Sequence, residues 1–262
     1  MTRLFSAAAL CVLCASVYAA NGVVISMKST KGASTTTNTI QLDANHMRTE
    51  MAGRTGGQNT FVFDGVKQTM YIIDDAKESY SEITKEDLDR VAAQMRGMMA
   101  NLPEEQRKQI EAMMARRGGG AAIPGAAAPK PTFKKVGTDK VGKWTCDKYE
   151  GYEGDKKTSE VCTVAPTALG LTASDFDVTK QFAKFFSGIM PQMANNVFSL
   201  GSLEDRGFVG LPIRTISYAA DGNVTSIQEL TDITHQNIPD STFAPPRGYA
   251  KQASPFGGRG RS

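Results

Sequence analysis

The sequence predicts an α+β domain in which a curved antiparallel sheet packs on helices, and three observations carry that prediction. Apolar residues alternate with polar ones at the period of half-buried strands, as at Val23, Ile25 and Met27, or at Ile40 and Leu42. Two Asp-Gly pairs, Asp64-Gly65 and Asp221-Gly222, each stand between two such runs, which is the signature of an antiparallel hairpin. At Thr84 the period changes to helical spacing, so helices are inserted between groups of strands instead of following each one.

In chain order, Met47 and Met51 continue the strand alternation. Phe61-Val-Phe63 runs into the first Asp-Gly turn, and Val66 to Ile73 returns as its partner. Glu78 to Ile83 adds a strand carrying Tyr80, which with Tyr71 covers sheet surface. Thr84 can cap a helix, with Asp87 three places on, and Leu88, Val91, Ala92, Met95, Met98 and Met99 follow on one face. Pro103, with Glu104 and Glu105 behind it, opens a second helix whose apolar face holds Ile110, Met113 and Met114; Arg116, Arg117 and Gly118 close it. Residues 118–131, GGGAAIPGAAAPKP, lack the side chains to build a core and predict a flexible Gly/Ala/Pro linker. Helices are predicted over Asp175 to Phe186, with Phe176, Phe182, Phe185 and Phe186 on one side, and over Pro191 to Leu200. Val209 to Tyr218 and Val224 to Ile233 flank the second Asp-Gly. Pro212 lacks a backbone donor, which places the first of these strands at an edge or a bulge.

Residues 1–20 read as a signal peptide. Arg3 precedes a small, apolar, uncharged run ending at Val17-Tyr18-Ala19, where small residues permit cleavage, and the run is too short to span a bilayer as a helix. Neither Cys11 nor Cys14 follows the small residue of a lipoprotein signal, so a periplasmic or secreted protein without a lipid anchor is expected. The domain then runs over 21–250, with the helical insertion at 84–117 and a disordered tail at 251–262. The net charge of +3 falls to about +2 without Arg3, with both signs mixed. That balance argues against a nucleic-acid binder, which concentrates Lys and Arg on one face.

Four cysteines become two without the leader, Cys146 and Cys162, in a compartment that permits disulfides. A hairpin folded symmetrically about Gly154 sets Cys146 opposite Cys162 and Trp144 opposite Val164. Directly opposed residues have Cβ atoms about 4.5–5.5 Å apart, close to what a disulfide needs. The competing reading is a redox or metal pair, but redox dithiols prefer Cys-X-X-Cys spacing and a zinc site wants more ligands nearby.

Candidate chemistry is sparse. His46 and His235 are isolated in polar contexts and read as surface residues, with shared metal binding the lesser alternative. The sequence holds no Gly-x-Ser-x-Gly elbow, phosphate-binding loop or His-Glu-x-x-His. Asp74-Asp75 and Glu104-Glu105 have local explanations, a turn and a helix N-terminus. No cofactor or metal is called for, and a non-enzymatic protein is expected. The unusual concentration is methionine: Met95, Met98, Met99, Met113 and Met114 on the helical pair, and Met190 and Met193 later. Three readings stand: gap-filling core, an adaptable apolar groove, or thioether coordination of Cu(I).

Phe61-Val-Phe-Asp-Gly65 followed by Met70-Tyr-Ile-Ile-Asp74, and the ending Ile238-Pro-Asp-Ser-Thr-Phe243-Ala-Pro-Pro-Arg-Gly248-Tyr249, resemble the exported bacterial family called domain of unknown function 4412. More distantly they resemble the outer-membrane lipoprotein carriers. The resemblance implies an incomplete antiparallel barrel wrapped around helices, with an apolar concavity that in the carriers receives acyl chains. On this reading the chain binds or carries an apolar small molecule, a lipid or a lipidated partner such as a lipoprotein. Met95, Met98, Met99, Met113 and Met114 would then form a movable cover. The alternative is an envelope interaction or structural module whose sheet is filled by its own helices; an enzyme stands third.

Overall fold

The computed structural model describes residues 19–52, 58–106, 131–187 and 207–256. The strands are β1 (Ala19–Lys31), β2 (Ser34–Leu42), β3 (His46–Ala52), β4 (Gln58–Asp64), β5 (Thr69–Asp74) and β6 (Ser79–Thr84). After α1 (Lys85–Ala100) come β7 (Thr132–Val141), β8 (Trp144–Glu153) and β9 (Lys156–Val164), then α2 (Asp177–Phe186). The chain ends with β10 (Leu211–Tyr218), β11 (Val224–Pro239) and β12 (Ala250–Gln252). All twelve described strands join one sheet, in the order β12-β6-β5-β4-β3-β2-β1-β11-β10-β9-β8-β7. Every pairing is antiparallel except β12 with β6, and β7 and β12 lie at opposite ends of the order, so the sheet is unclosed. This is the curved antiparallel α+β sheet that the alternation and the Asp-Gly turns predict.

Apolar side chains on the concave face form the main core, because α2 lies against it. Val23, Leu42, Met47, Phe63, Met70 and Ile83 pair in register from β1 through β6 and are all buried. Phe63 meets Phe182 edge to face at 5.2 Å and Phe185 at 5.2 Å. The phenylalanine stripe predicted on this helix is therefore core. Gly65 lets α2 approach: a Cβ there would collide with Gln181 Oε1 and come within 2.9 Å of the Asn45 carbonyl. α1 begins at the expected cap, where Asp87 N–H donates to Thr84 Oγ1 at 3.2 Å and Thr84 N–H donates to Asp87 Oδ2 at 3.3 Å.

On the convex face, Val62, Ile73, Ile238 and Phe243 form a second cluster with Val24, Tyr71, Tyr80 and Tyr249. Tyr71 and Tyr80 meet edge to face at 6.1 Å, covering sheet surface as expected. The ending Ile238–Tyr249 thus seals the back of the sheet. Tyr249 OH donates to Asp75 Oδ1 at 3.0 Å, and Ala250 N–H donates to the Glu78 carbonyl at 2.9 Å.

Several expectations change. Residues 251–256 are not a disordered tail: Lys251 and Gln252 extend β12 beside β6, Lys251 pairs with Glu82, and Phe256 packs on the core. Cys146 and Cys162 are bridged, with Cα atoms 5.5 Å apart, but they do not face each other directly. The turn is tighter than expected, with Glu153 opposite Lys156, and Thr158 is bulged, so Cys162 faces Lys148 and the bridge runs diagonally. Trp144 pairs with Val141 of β7, and Val164 with Leu211 of β10. Pro212 lies next to a register shift, the predicted bulge, in a strand paired on both sides. The strand after Gly65 starts at Thr69 rather than Val66, following a four-residue turn. The second helix is described only at 104–106; its remainder, the linker at 118–130, Met113, Met114, Met190, Met193, the helix at 191–200 and the signal peptide through residue 18 lie outside the described residues.

Candidate functional site

Next to the buried row under α2, the concave face carries a second row in continuous register. Ile233 of β11 faces Ile25, Ile25 faces Ile40, and the line continues through Thr49, Phe61 and Ile72 to Ser81 of β6. At about 4.8 Å per strand spacing, the span from Ile233 to Ile72 is about 24 Å. Ile25 and Thr49 are buried, but Ile40, Phe61, Ile72 and Ile233 are only partly buried among the described residues, although all four touch the main core. Two residues further along these strands the floor turns polar, with Asn59 facing Asp74 and Asp74 facing Ser79. A cleft of about 580 Å³ opens there, lined by Asn59, Ile72, Asp74, Ser81 and Gln252 among others.

Among the described side chains, α1 is anchored through its first half. Leu88 and Ala92 are buried and Val91 partly so, whereas Met95 and Met98 are 36% and 71% exposed. The side chains of Met99, Met113 and Met114 lie outside the described residues, so the five methionines are not brought together among them.

The histidines are likewise separate. His46 is half-buried on the convex side, stacked on Phe243 at 5.1 Å, with Nδ1 2.9 Å from Asp43 Oδ2 and Nε2 3.9 Å from Asp64 Oδ1. His235 is exposed and aligned with Val23 on the other face. His46 is thus not the free surface residue that its sequence context implies; Asp43, three places earlier, was the available signal. Both carboxylates organise turns. Asp43 Oδ1 accepts from Asn45 N–H at 2.7 Å and His46 N–H at 2.6 Å, while Asp64 accepts from Lys67 N–H at 2.8 Å and Lys67 Nζ at 2.8 Å. Burial raises the Asp64 pKa, but the Lys67 contacts outweigh it and hold the group below its ordinary value. Among the described residues no group of three or more His, Cys, Asp or Glu could hold a metal ion.

Beyond the disulfide, the same face carries an ionic network. Glu160 accepts from Lys148 at 2.9 Å, Lys157 at 2.5 Å and Tyr218 OH at 2.8 Å; Lys157 also reaches Glu150 at 2.7 Å. Burial would raise the Glu160 pKa, yet the three donors prevail and hold it at about 2. Because the folded pKa lies below the ordinary glutamate value of 4.5, this stabilisation is complete above that value and fades as pH falls towards about 2. Glu160→Gln is expected to cost about 2 kcal/mol at neutral pH and to flatten the acid limb of stability. Urea unfolding from pH 7 to pH 2.5 measures both, and an unchanged acid limb would contradict the network's role.

The model of the family called domain of unknown function 4412 matches residues 125–249. Of the two segments that carry the resemblance, Ile238–Tyr249 lies inside the match and Phe61–Asp74 outside it. No curated protein matches the chain. Solved structures similar to it include an uncharacterised conserved protein from Thermus thermophilus, at 7% identity and TM-score 0.44, covering 89% of this chain and 91% of that one. MucB of Pseudomonas aeruginosa, solved with MucA, aligns at 11% identity and TM-score 0.37, covering 86% of this chain but 55% of that one. A LolA superfamily protein from Nitrosomonas europaea aligns at 8% identity and TM-score 0.27, covering 86% and 90%. No helix among the described residues is long and apolar enough to cross a membrane. The chain from the Gly/Ala/Pro linker through the C-terminal seal thus matches the family of the domain of unknown function 4412, as the ending Ile238–Tyr249 leads one to expect.

Proposed function

We propose that this is an exported, periplasmic or secreted, non-enzymatic protein that holds an apolar ligand, a lipid or a lipidated partner, on the concave face of its sheet. The observation that carries the reading is the row Ile233, Ile25, Ile40, Thr49, Phe61, Ile72, which lies in line across six strands and in which Ile233, Ile40, Phe61 and Ile72 stay partly uncovered among the described residues. An acyl chain laid along it gains about 0.8 kcal/mol per methylene buried. On this reading the exposed Met95 and Met98 of α1 belong to a movable cover, together with Met99, Met113 and Met114 of the expected helical pair. Native mass spectrometry and lipid extraction of protein purified from the periplasm should recover a bound lipid; lipid-free protein that also takes up no apolar probe would reject the reading.

A second reading, a structural or interaction module without ligand, is favoured by one observation: Phe182, Phe185 and Phe186 of α2 already fill the adjacent row. Variants separate the two. Ile72→Asp puts a charge on the proposed floor and should weaken uptake of a fluorescent fatty acid about tenfold or more. Met98→Gln, at an exposed site, should lower uptake while changing stability by less than about 0.5 kcal/mol. Uptake indifferent to both substitutions would favour the module.

A further inference from the structure

We propose that the polar cleft at the β4–β5–β6–β12 end of the concave face is a head-group site, and that the preferred ligand is a single-chain amphiphile whose head is uncharged and rich in hydroxyls, as in a monoacylglycerol. The proposal rests on the carrier reading and specifies its ligand.

Continuity is the first support. Ile72 belongs both to the apolar row and to the lining of the cleft, so a chain lying over Phe61 and Ile72 leads its polar end into it. Unused hydrogen-bonding capacity is the second. Asn59, Ser79, Ser81 and Gln252 line the cleft, and none of their side chains makes a hydrogen bond or ion pair to another described residue. Two hydroxyls and two amides offer both donors and acceptors, which suits hydroxyl groups and an ester carbonyl.

Charge decides the class of head. The acid and the base in the lining, Asp74 and Lys77, are engaged with each other: Lys77 Nζ lies 2.5 Å from Asp74 Oδ2, and Lys77 N–H donates to Asp74 Oδ1 at 3.1 Å. Their charges offset each other, so the lining offers neither a net cation to a carboxylate or phosphate head nor a net anion to an ammonium head. An uncharged head needs neither. The apolar row supplies chain affinity regardless of head, and the cleft supplies the selection.

Displacement of Nile red from the full-length mature protein tests this with three ligands of equal chain length: monomyristoylglycerol, myristate and methyl myristate. Wild type should bind monomyristoylglycerol about tenfold more tightly than methyl myristate, the equivalent of about one net hydrogen bond, with myristate no tighter than the methyl ester. Asn59→Leu should erase the glycerol advantage and leave methyl myristate unchanged. Gln252→Leu, at an exposed position on a short edge strand, provides the same test where folding is not at risk and should reduce the advantage about threefold. Equal affinity for all three ligands, a preference for myristate, or variants that weaken all three alike would overturn the head-group site while leaving the carrier reading in place. Failure of every ligand, and of Nile red itself, to bind would overturn the carrier reading and the head-group site with it.

Discussion

Phe63→Ala is expected to lower the free energy of unfolding by about 3–5 kcal/mol, a large part of a domain's total stability. Phe63 sits in the middle of the buried concave row, 1% exposed, and its ring is held by Phe182 and Phe185 at 5.2 Å each. Its cross-strand partners, Met47 and Met70, are flexible enough to lean into part of the void. That relaxation moves the expectation towards 3 kcal/mol without cancelling it, because the strand backbones fix how far the methionines can reach. Urea unfolding gives the loss as a shift in midpoint at unchanged slope. A loss below about 1 kcal/mol would mean that α2 is not held against the sheet at this point. The same variant bears on function, since a dislodged α2 would enlarge the apolar concavity and raise probe uptake even as stability falls.

Much of this arrangement is written locally in the chain. Period-two alternation identifies the strands, and it also identifies which side chains share a face, so Ile40 and Leu42 or Phe61 and Phe63 can be paired by eye. What alternation does not contain is which strands adjoin. The second row exists because β1 pairs with β11, some two hundred residues away, and β11 in turn with β10. Without that pairing Ile233 has no reason to lie in line with Ile25. Turn lengths were also hidden. Gln68 adopts φ of 51°, a left-handed conformation rarely used by residues other than Gly, Asn and Asp, and it closes the four-residue turn that delays β5 to Thr69. The β12 strand is three residues long, too short to show a period, and its parallel pairing with β6 depends on the seal at Tyr249. The polar end of the concave face was equally illegible: Asn59, Ser81 and Gln252 belong to three strands, and each alone is an ordinary polar residue.

Replacing both cysteines by serine is expected to destabilise the protein by about 3 kcal/mol while preserving its fold. The bridge closes a loop of 16 residues in sequence separation, which on chain-entropy reasoning accounts for a loss of this size through the unfolded state. The fold should survive because the β8–β9 hairpin has other ties: the ladder from Asp147–Thr163 to Glu153–Lys156, and the Lys148, Lys157 and Glu160 ion pairs beside it. Serine adds a smaller cost, since both positions are buried, Cys146 at 3% and Cys162 at 2% exposure, and each new hydroxyl must find a partner. At position 146 the Asp139 carbonyl is the available acceptor, lying 3.4 Å from the present sulfur. The paired Cys→Ala variant removes the hydroxyl problem and isolates the loop term. Thiol labelling of exported, unfolded but unreduced wild-type protein should find no free sulfhydryl, and the Ala pair should then unfold at a urea midpoint lower by the same increment as reduced wild type. An Ala pair as stable as the oxidised protein would show that the hairpin's own ladder already restrains the unfolded chain as tightly as the bridge does.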